Sequence, residues 1–98
     1  MAYEVTWSPE AIEDLESIAT YIGRNSPNYA TAVVEKMLDT AAGLSHFPFA
    51  GRMVPELDDE AIREKFVYNY RLIYRVQDED VTIISVIHGK RQFPFDVV

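Results

Sequence analysis

Residues 8–44 read SPEAIEDLESIATYIGRNSPNYATAVVEKMLDTAAGL, and this stretch decides the fold. Ser8 supplies a side-chain oxygen for the unpaired amides of a helix start. Pro9 has its φ pre-set for the first helical position, and Glu10 puts an acid in the first turn. Ile12, Leu15, Ile18, Ala19 and Ile22 follow at helical spacing, with Glu13, Asp14 and Glu16 on the other side. Gly23 reads as the stop. The start signal recurs in Ser26-Pro27, and Ala30, Val33, Val34, Met37, Leu38, Ala41 and Leu44 mark one face of a second helix. Two amphipathic helices joined by a few residues fold back as an antiparallel hairpin that buries its apolar stripes. The face expected against the rest of the molecule is Ile12, Leu15, Ile18, Ile22, Val33, Val34, Met37, Leu38 and Leu44.

Strand patterns flank the hairpin. Residues 3–7 (Tyr-Glu-Val-Thr-Trp) alternate and are rich in β-branched and aromatic types. Residues 46–61 contain Pro48, Pro55, Gly51 and the acids Glu56, Asp58, Asp59 and Glu60, and read as a loop. In it Gly51 suits a tight turn and Arg52 an anchoring bond to a carboxylate. Ile62 to Val67 is the next strand, with a turn at Tyr68-Asn69. Tyr70, Leu72, Tyr74 and Val76 then alternate with Arg71, Ile73 and Arg75. Gln77-Asp78-Glu79-Asp80 is a turn by composition, and Val81 to Ile87 is a nearly all-apolar strand expected at the sheet centre. The tail after Gly89 contains Pro94 and reads as irregular. The order β-α-α-β-β-β predicts an α+β fold: an N-terminal strand, then an antiparallel helical hairpin packed on a small antiparallel sheet. Trp7, Tyr70 and Tyr74 are expected in the core, the tyrosine hydroxyls reaching an edge.

The 98 residues fit one domain spanning 1–98, and 48% of them are apolar. The sequence has no cysteine, which excludes a disulfide scaffold, a thiol nucleophile and a thiolate metal site. His46 and His88 fall in different elements, so no metal-spaced histidine pair exists, and neither a glycine-rich phosphate loop nor a GxSxG elbow is present. The expectation is therefore a protein without metal or cofactor. Met1 is followed by acidic residues, not the basic-then-apolar run of a signal peptide, and the longest apolar run is far too short to span a bilayer. A cytoplasmic protein with no membrane partner is expected.

Net charge is −7 and unevenly spread: residues 1–60 carry three cations against eleven acids, and residues 61–98 carry six against five. Overall negative charge opposes long-range attraction to nucleic acid, although a local basic patch can still grip an anion. The cations gather on the C-terminal strands. Arg71 and Arg75 share strand parity and lie ~13 Å apart at ~3.3 Å per residue. Arg63 comes from the neighbouring strand, and His88, Lys90 and Arg91 follow the last one. Metal-free RNA cleavage through the 2′-hydroxyl needs a base, an acid and cations for the developing charge. Glu64 or His88 fits the first two roles, and Arg63, Arg71 or Arg75 the third. The same residues equally describe the solvated face of an antiparallel strand, with Glu64 as an ion-pair partner.

Several segments in order resemble the RelE/ParE toxin family over essentially the whole chain. They are Ser8-Pro9-Glu10-Ala11 with Asp14-Leu15, Tyr21-Ile22, Ser26-Pro27, Phe47-Pro48 with Gly51-Arg52, and Pro55-Glu56-Leu57. Ile62-Arg63-Glu64, Asn69 through Val76, and Val86-Ile87-His88-Gly89-Lys90-Arg91 complete the series. The resemblance implies the toxin half of a type II toxin–antitoxin pair, of the plasmid-stabilisation kind, neutralised by a cognate antitoxin. RelE-like members cleave mRNA on the ribosome, whereas ParE-like members poison DNA gyrase. Arg71 matches an arginine common to both branches. The His88-Gly89-Lys90-Arg91 ending and the Gly51-Arg52 loop resemble the ParE branch. The RelE-like C-terminal tyrosine and the lysine-rich segment before the sheet are absent. The resemblance thus implies a gyrase inhibitor without catalytic residues, contacting its target or an anion through Arg63, Arg71, Arg75, His88, Lys90 and Arg91. Its alternatives are a ribosome-dependent mRNA endonuclease using Glu64, Arg71 and His88, or a decayed domain that only binds antitoxin.

Overall fold

The computed structural model describes residues 2–91. Its elements are β1 (Glu4–Trp7), α1 (Pro9–Gly23), α2 (Pro27–Gly43), β2 (Arg52–Met53), β3 (Ile62–Val67), β4 (Tyr70–Gln77) and β5 (Asp80–His88). The five strands form one sheet in the order β1-β5-β4-β3-β2. The α+β order expected from the sequence holds, with two differences. Arg52–Met53 adds a short edge strand inside the expected loop, and β1 runs parallel to β5, so the sheet is mixed. The nearly all-apolar run of β5 is interior, flanked by β1 and β4, while the middle position belongs to β4.

Both helices start as their sequences dictate. The Ser8 hydroxyl accepts from the Ala11 amide at 3.0 Å, and that of Ser26 from the Tyr29 amide at 3.2 Å. Gly23 does not stop α1 by a left-handed turn, because no described glycine has positive φ. The Ile22 carbonyl instead accepts from the amides of Asn25 and Ser26, and the chain passes straight into the next cap.

The helix-facing core joins Ala11, Val33, Met37, Ala41 and Leu44 to Val67, Leu72, Tyr74, Val81, Ile83 and Val86. Leu15, Ile18, Ile22, Trp7 and Tyr70 pack against it from partly buried positions. Two residues expected inside are not: Ile12 is 46% and Leu38 47% exposed. In α1 the buried side chain is Ala11, with Leu15, Ile18 and Ile22 partly buried, whereas α2 buries Ala30, Val33, Met37 and Ala41 and leaves Leu38 of its stripe exposed.

A second apolar cluster lies on the opposite sheet face, built from Val54, Ile62, Ile73 and Ile87 with Leu57 and Ile84 against it. The 54–57 segment covers the face that the arginine pattern marks as solvated. β5 serves both faces because its pairing with β4 skips Ile84, Ile73 lying opposite Ser85 and Tyr74 opposite Ile83. This bulge turns Val86 toward the helices and Ile87 away from them. Past Ile83, where β1 ends, the Asp14 carboxylate takes over as partner: it accepts from the Val86 amide at 3.0 Å and the Ser85 hydroxyl at 3.2 Å. Of the tail expected to be irregular, residues 92–98 lie outside the described residues. Among the described residues no helix is long and apolar enough to cross a membrane.

Candidate functional site

On the sheet face away from the helices, alternation along β4 presents Arg71, Ile73 and Arg75, and alternation along β3 presents Ile62, Glu64 and Phe66. Arg71 reaches diagonally to Glu64, its Nε 2.6 Å from Oε1. The other oxygen of Glu64 accepts from Arg52 Nε at 2.6 Å, across the β2–β3 ladder. The guanidinium end of Arg71 meets Glu56 with both nitrogens, at 2.8 and 2.7 Å, and Nη1 also donates to the Arg91 carbonyl at 2.9 Å. The Glu64 side chain is fully buried and that of Arg71 nearly so, whereas Arg52 is open to solvent. Hydrogen bonds to Glu56 raise the Arg71 pKa above its ordinary value against the cost of burial, and Glu64 adds to the rise. Arg71 is thus a permanent cation inside a carboxylate cage.

The remaining candidates are distributed differently. Arg63 was expected beside the other arginines, but it alternates with Glu64 and stands opposite Tyr74, on the helix-side face. There its Nε donates to the Glu60 carbonyl at 2.9 Å and its guanidinium lies 5.1 Å from the Phe49 ring centre. Arg75 is half-buried on the Arg71 face, between Ile62 and Thr82 in the ladder. His88 stands opposite Tyr70 with ring centres 5.7 Å apart, so it belongs to the helix-side face, and its Nδ1 accepts from the Lys90 amide at 3.2 Å. It borders two clefts of about 380 and 400 Å³, one shared with Tyr21 and Tyr70, the other with Phe66 and Lys90. Lys90 and Arg91 are exposed just beyond it. Glu64 and Arg71 are therefore brought together, whereas Glu64 and His88 project from opposite faces.

Tyr74 is buried, and its hydroxyl accepts from the Gly51 amide at 3.0 Å. A Cβ on Gly51 would lie 2.4 Å from the Glu64 carbonyl oxygen and 2.7 Å from the Tyr74 hydroxyl. Close approach, not a turn, requires glycine here. The Arg52 anchor expected from sequence is its bond to Glu64. Sequence reasoning missed Glu56 by counting it with a solvated acidic cluster. Its signal was the apolar flank: Val54 is buried and Leu57 packs on the outer cluster, whereas Asp58, Asp59 and Glu60 are exposed. Among the described residues no group of three His, Asp or Glu side chains stands together as a metal site.

Comparison with known proteins matches residues 5–93 to the family model described as the ParE toxin of the type II toxin–antitoxin system parDE. The chain is 31% identical over 88 residues to Toxin RelE2 of Caulobacter vibrioides, an alignment covering 90% of this chain and 97% of that one. In structure it resembles the chromosomal ParDE toxin–antitoxin system from P. aeruginosa, with a TM-score of 0.76 at 16% identity, over 91% of this chain and 98% of the other. It also resembles a chain of the RelBE2 toxin–antitoxin complex of Mycobacterium tuberculosis, with a TM-score of 0.60 at 27% identity, over 90% and 99%.

Proposed function

The chain belongs to the ParE toxin family of type II toxin–antitoxin systems, and on that premise we propose that it inhibits DNA gyrase and is held silent by a cognate antitoxin. The observation that carries this reading is the disposition of Glu64, Arg71 and His88. Ribonucleolytic chemistry needs an acid, a base and a cation converging on one phosphate. Here the carboxylate and the guanidinium are buried and bonded to each other, and the imidazole projects from the other face. What the molecule presents instead is the exposed His88, Lys90 and Arg91 at the end of β5, beside two clefts. That surface suits contact with a protein target, and the net charge of −7 agrees by disfavouring a site within ribosomal RNA.

The test is a pair of assays on purified wild type and His88→Ala, one for gyrase supercoiling and one for mRNA cleavage on ribosomes. Gyrase inhibition without cleavage sustains the proposal. Ribosome-dependent cleavage that disappears in His88→Ala replaces it with the endonuclease reading. Inactivity in both assays, with antitoxin binding retained, leaves a domain that only pairs with its antitoxin.

A further inference from the structure

Arg71 carries five N–H groups, and bonds to three partners occupy four of them: Glu64, both oxygens of Glu56 and the Arg91 carbonyl. A side chain so committed, and 4% exposed, has little left for another molecule. What it does hold is informative. Glu56 belongs to the segment over the outer face, Glu64 to β3, and Arg91 to the turn that follows β5. That turn is closed by the Arg91 amide donating to the His88 carbonyl at 2.9 Å and the Lys90 amide to His88 Nδ1 at 3.2 Å. Among the described residues, its exit is held by the bond from Arg71 to the Arg91 carbonyl.

We propose that Arg71 is a positioning residue: it fastens the His88–Arg91 turn to Glu56, so that exposed Lys90 and Arg91 are held in the arrangement that meets the target. This rests on the reading that the turn faces gyrase. Lysine cannot replace the arginine, since one ammonium cannot give two parallel bonds to Glu56 while also reaching Glu64 and Arg91. Glu56 anchors the other end, between Val54 and Leu57 in the outer cluster.

Arg71→Lys and Glu56→Gln are compared with wild type by trypsin cleavage under native conditions and by gyrase inhibition. Cleavage after Lys90 and Arg91 reports the turn, and cleavage after Lys36, inside α2, reports global opening. In both variants cleavage at the turn is expected to rise about tenfold, the worth of one charge-assisted hydrogen bond, with cleavage after Lys36 unchanged. Half-inhibition of gyrase then requires about tenfold more protein, for the same reason. Two results overturn the proposal. If Glu56→Gln inhibits gyrase as well as or better than wild type, the freed guanidinium touches the target itself. If the Lys36 site opens together with the turn, Arg71 only stabilises the fold. Should wild type fail to inhibit gyrase, the gyrase reading falls, and the cleavage pattern alone decides whether Arg71 fastens the turn.

Discussion

Arg71 and Glu56 meet fork to fork, the two terminal guanidinium nitrogens lying 2.8 and 2.7 Å from the two carboxylate oxygens. The pair joins the middle strand of the sheet to the segment over its outer face, and Glu64 completes it from the neighbouring strand. Removing one member of such a buried group leaves its partner charged and desolvated.

Glu64→Ala should destabilise the protein by about 1.5–3 kcal/mol, because the buried Nε–H of Arg71 loses its acceptor while Glu56 still holds the guanidinium end. Urea denaturation measures this. A loss below about 1 kcal/mol, the scale of exposed ion pairs, would mean that water reaches the cage.

The helix faces give a second contrast. Met37→Ala, at a fully buried site, should cost about 2–5 kcal/mol, whereas Leu38→Ala, at a half-exposed one, should cost less than about 1 kcal/mol. Equal losses would contradict the burial of Met37 and the exposure of Leu38.

These two positions show how far the sequence could be read. Helix caps, strand limits and the Tyr68-Asn69 turn were legible, because each depends on residues close together in the chain. Which of Met37 and Leu38 enters the core was not, since both lie on the apolar stripe and packing against the sheet makes the choice. The outer apolar cluster was illegible for a similar reason. Alternation in β4 records that Arg71 and Ile73 share a face, but only tertiary structure brings Val54, Leu57 and Glu56 over them. Arg71 stood out as a candidate contact for a target or an anion, and its bonds to Glu56 and Arg91 could not be known from spacing. Arg63 and Glu64, adjacent in sequence, were read as one group although alternation sends them to opposite faces.

Tyr74→Phe should cost about 1–3 kcal/mol at neutral pH, since the buried Gly51 amide loses its acceptor. Burial pushes the Tyr74 hydroxyl above its ordinary value of 10.0. Above that value the unfolded chain releases this proton while the folded chain keeps it. The contribution is therefore complete below about pH 10 and is lost as pH rises through the folded value. Thermal unfolding between pH 9 and 12, a range set by that pKa, should show a shallower alkaline decline for Tyr74→Phe than for wild type. Some decline persists because Tyr70 is also raised, mainly by burial. Parallel declines would contradict the assignment.

Gly51→Ala should cost about 1–3 kcal/mol, because the added carbon meets the Glu64 carbonyl, a backbone atom that cannot swing aside. Chemical denaturation of the single variant checks this, and an unchanged midpoint would show that β2 can shift outward without cost.

Gyrase inhibition is the central claim, and its most direct measurement is DNA supercoiling by purified gyrase titrated with this chain freed of antitoxin. Wild type should stop supercoiling or trap cleaved DNA, and a variant carrying Lys90→Glu and Arg91→Glu should lose that effect while remaining folded. Undiminished supercoiling at a large excess of folded wild type, with the same sample cutting mRNA on ribosomes, would contradict the claim.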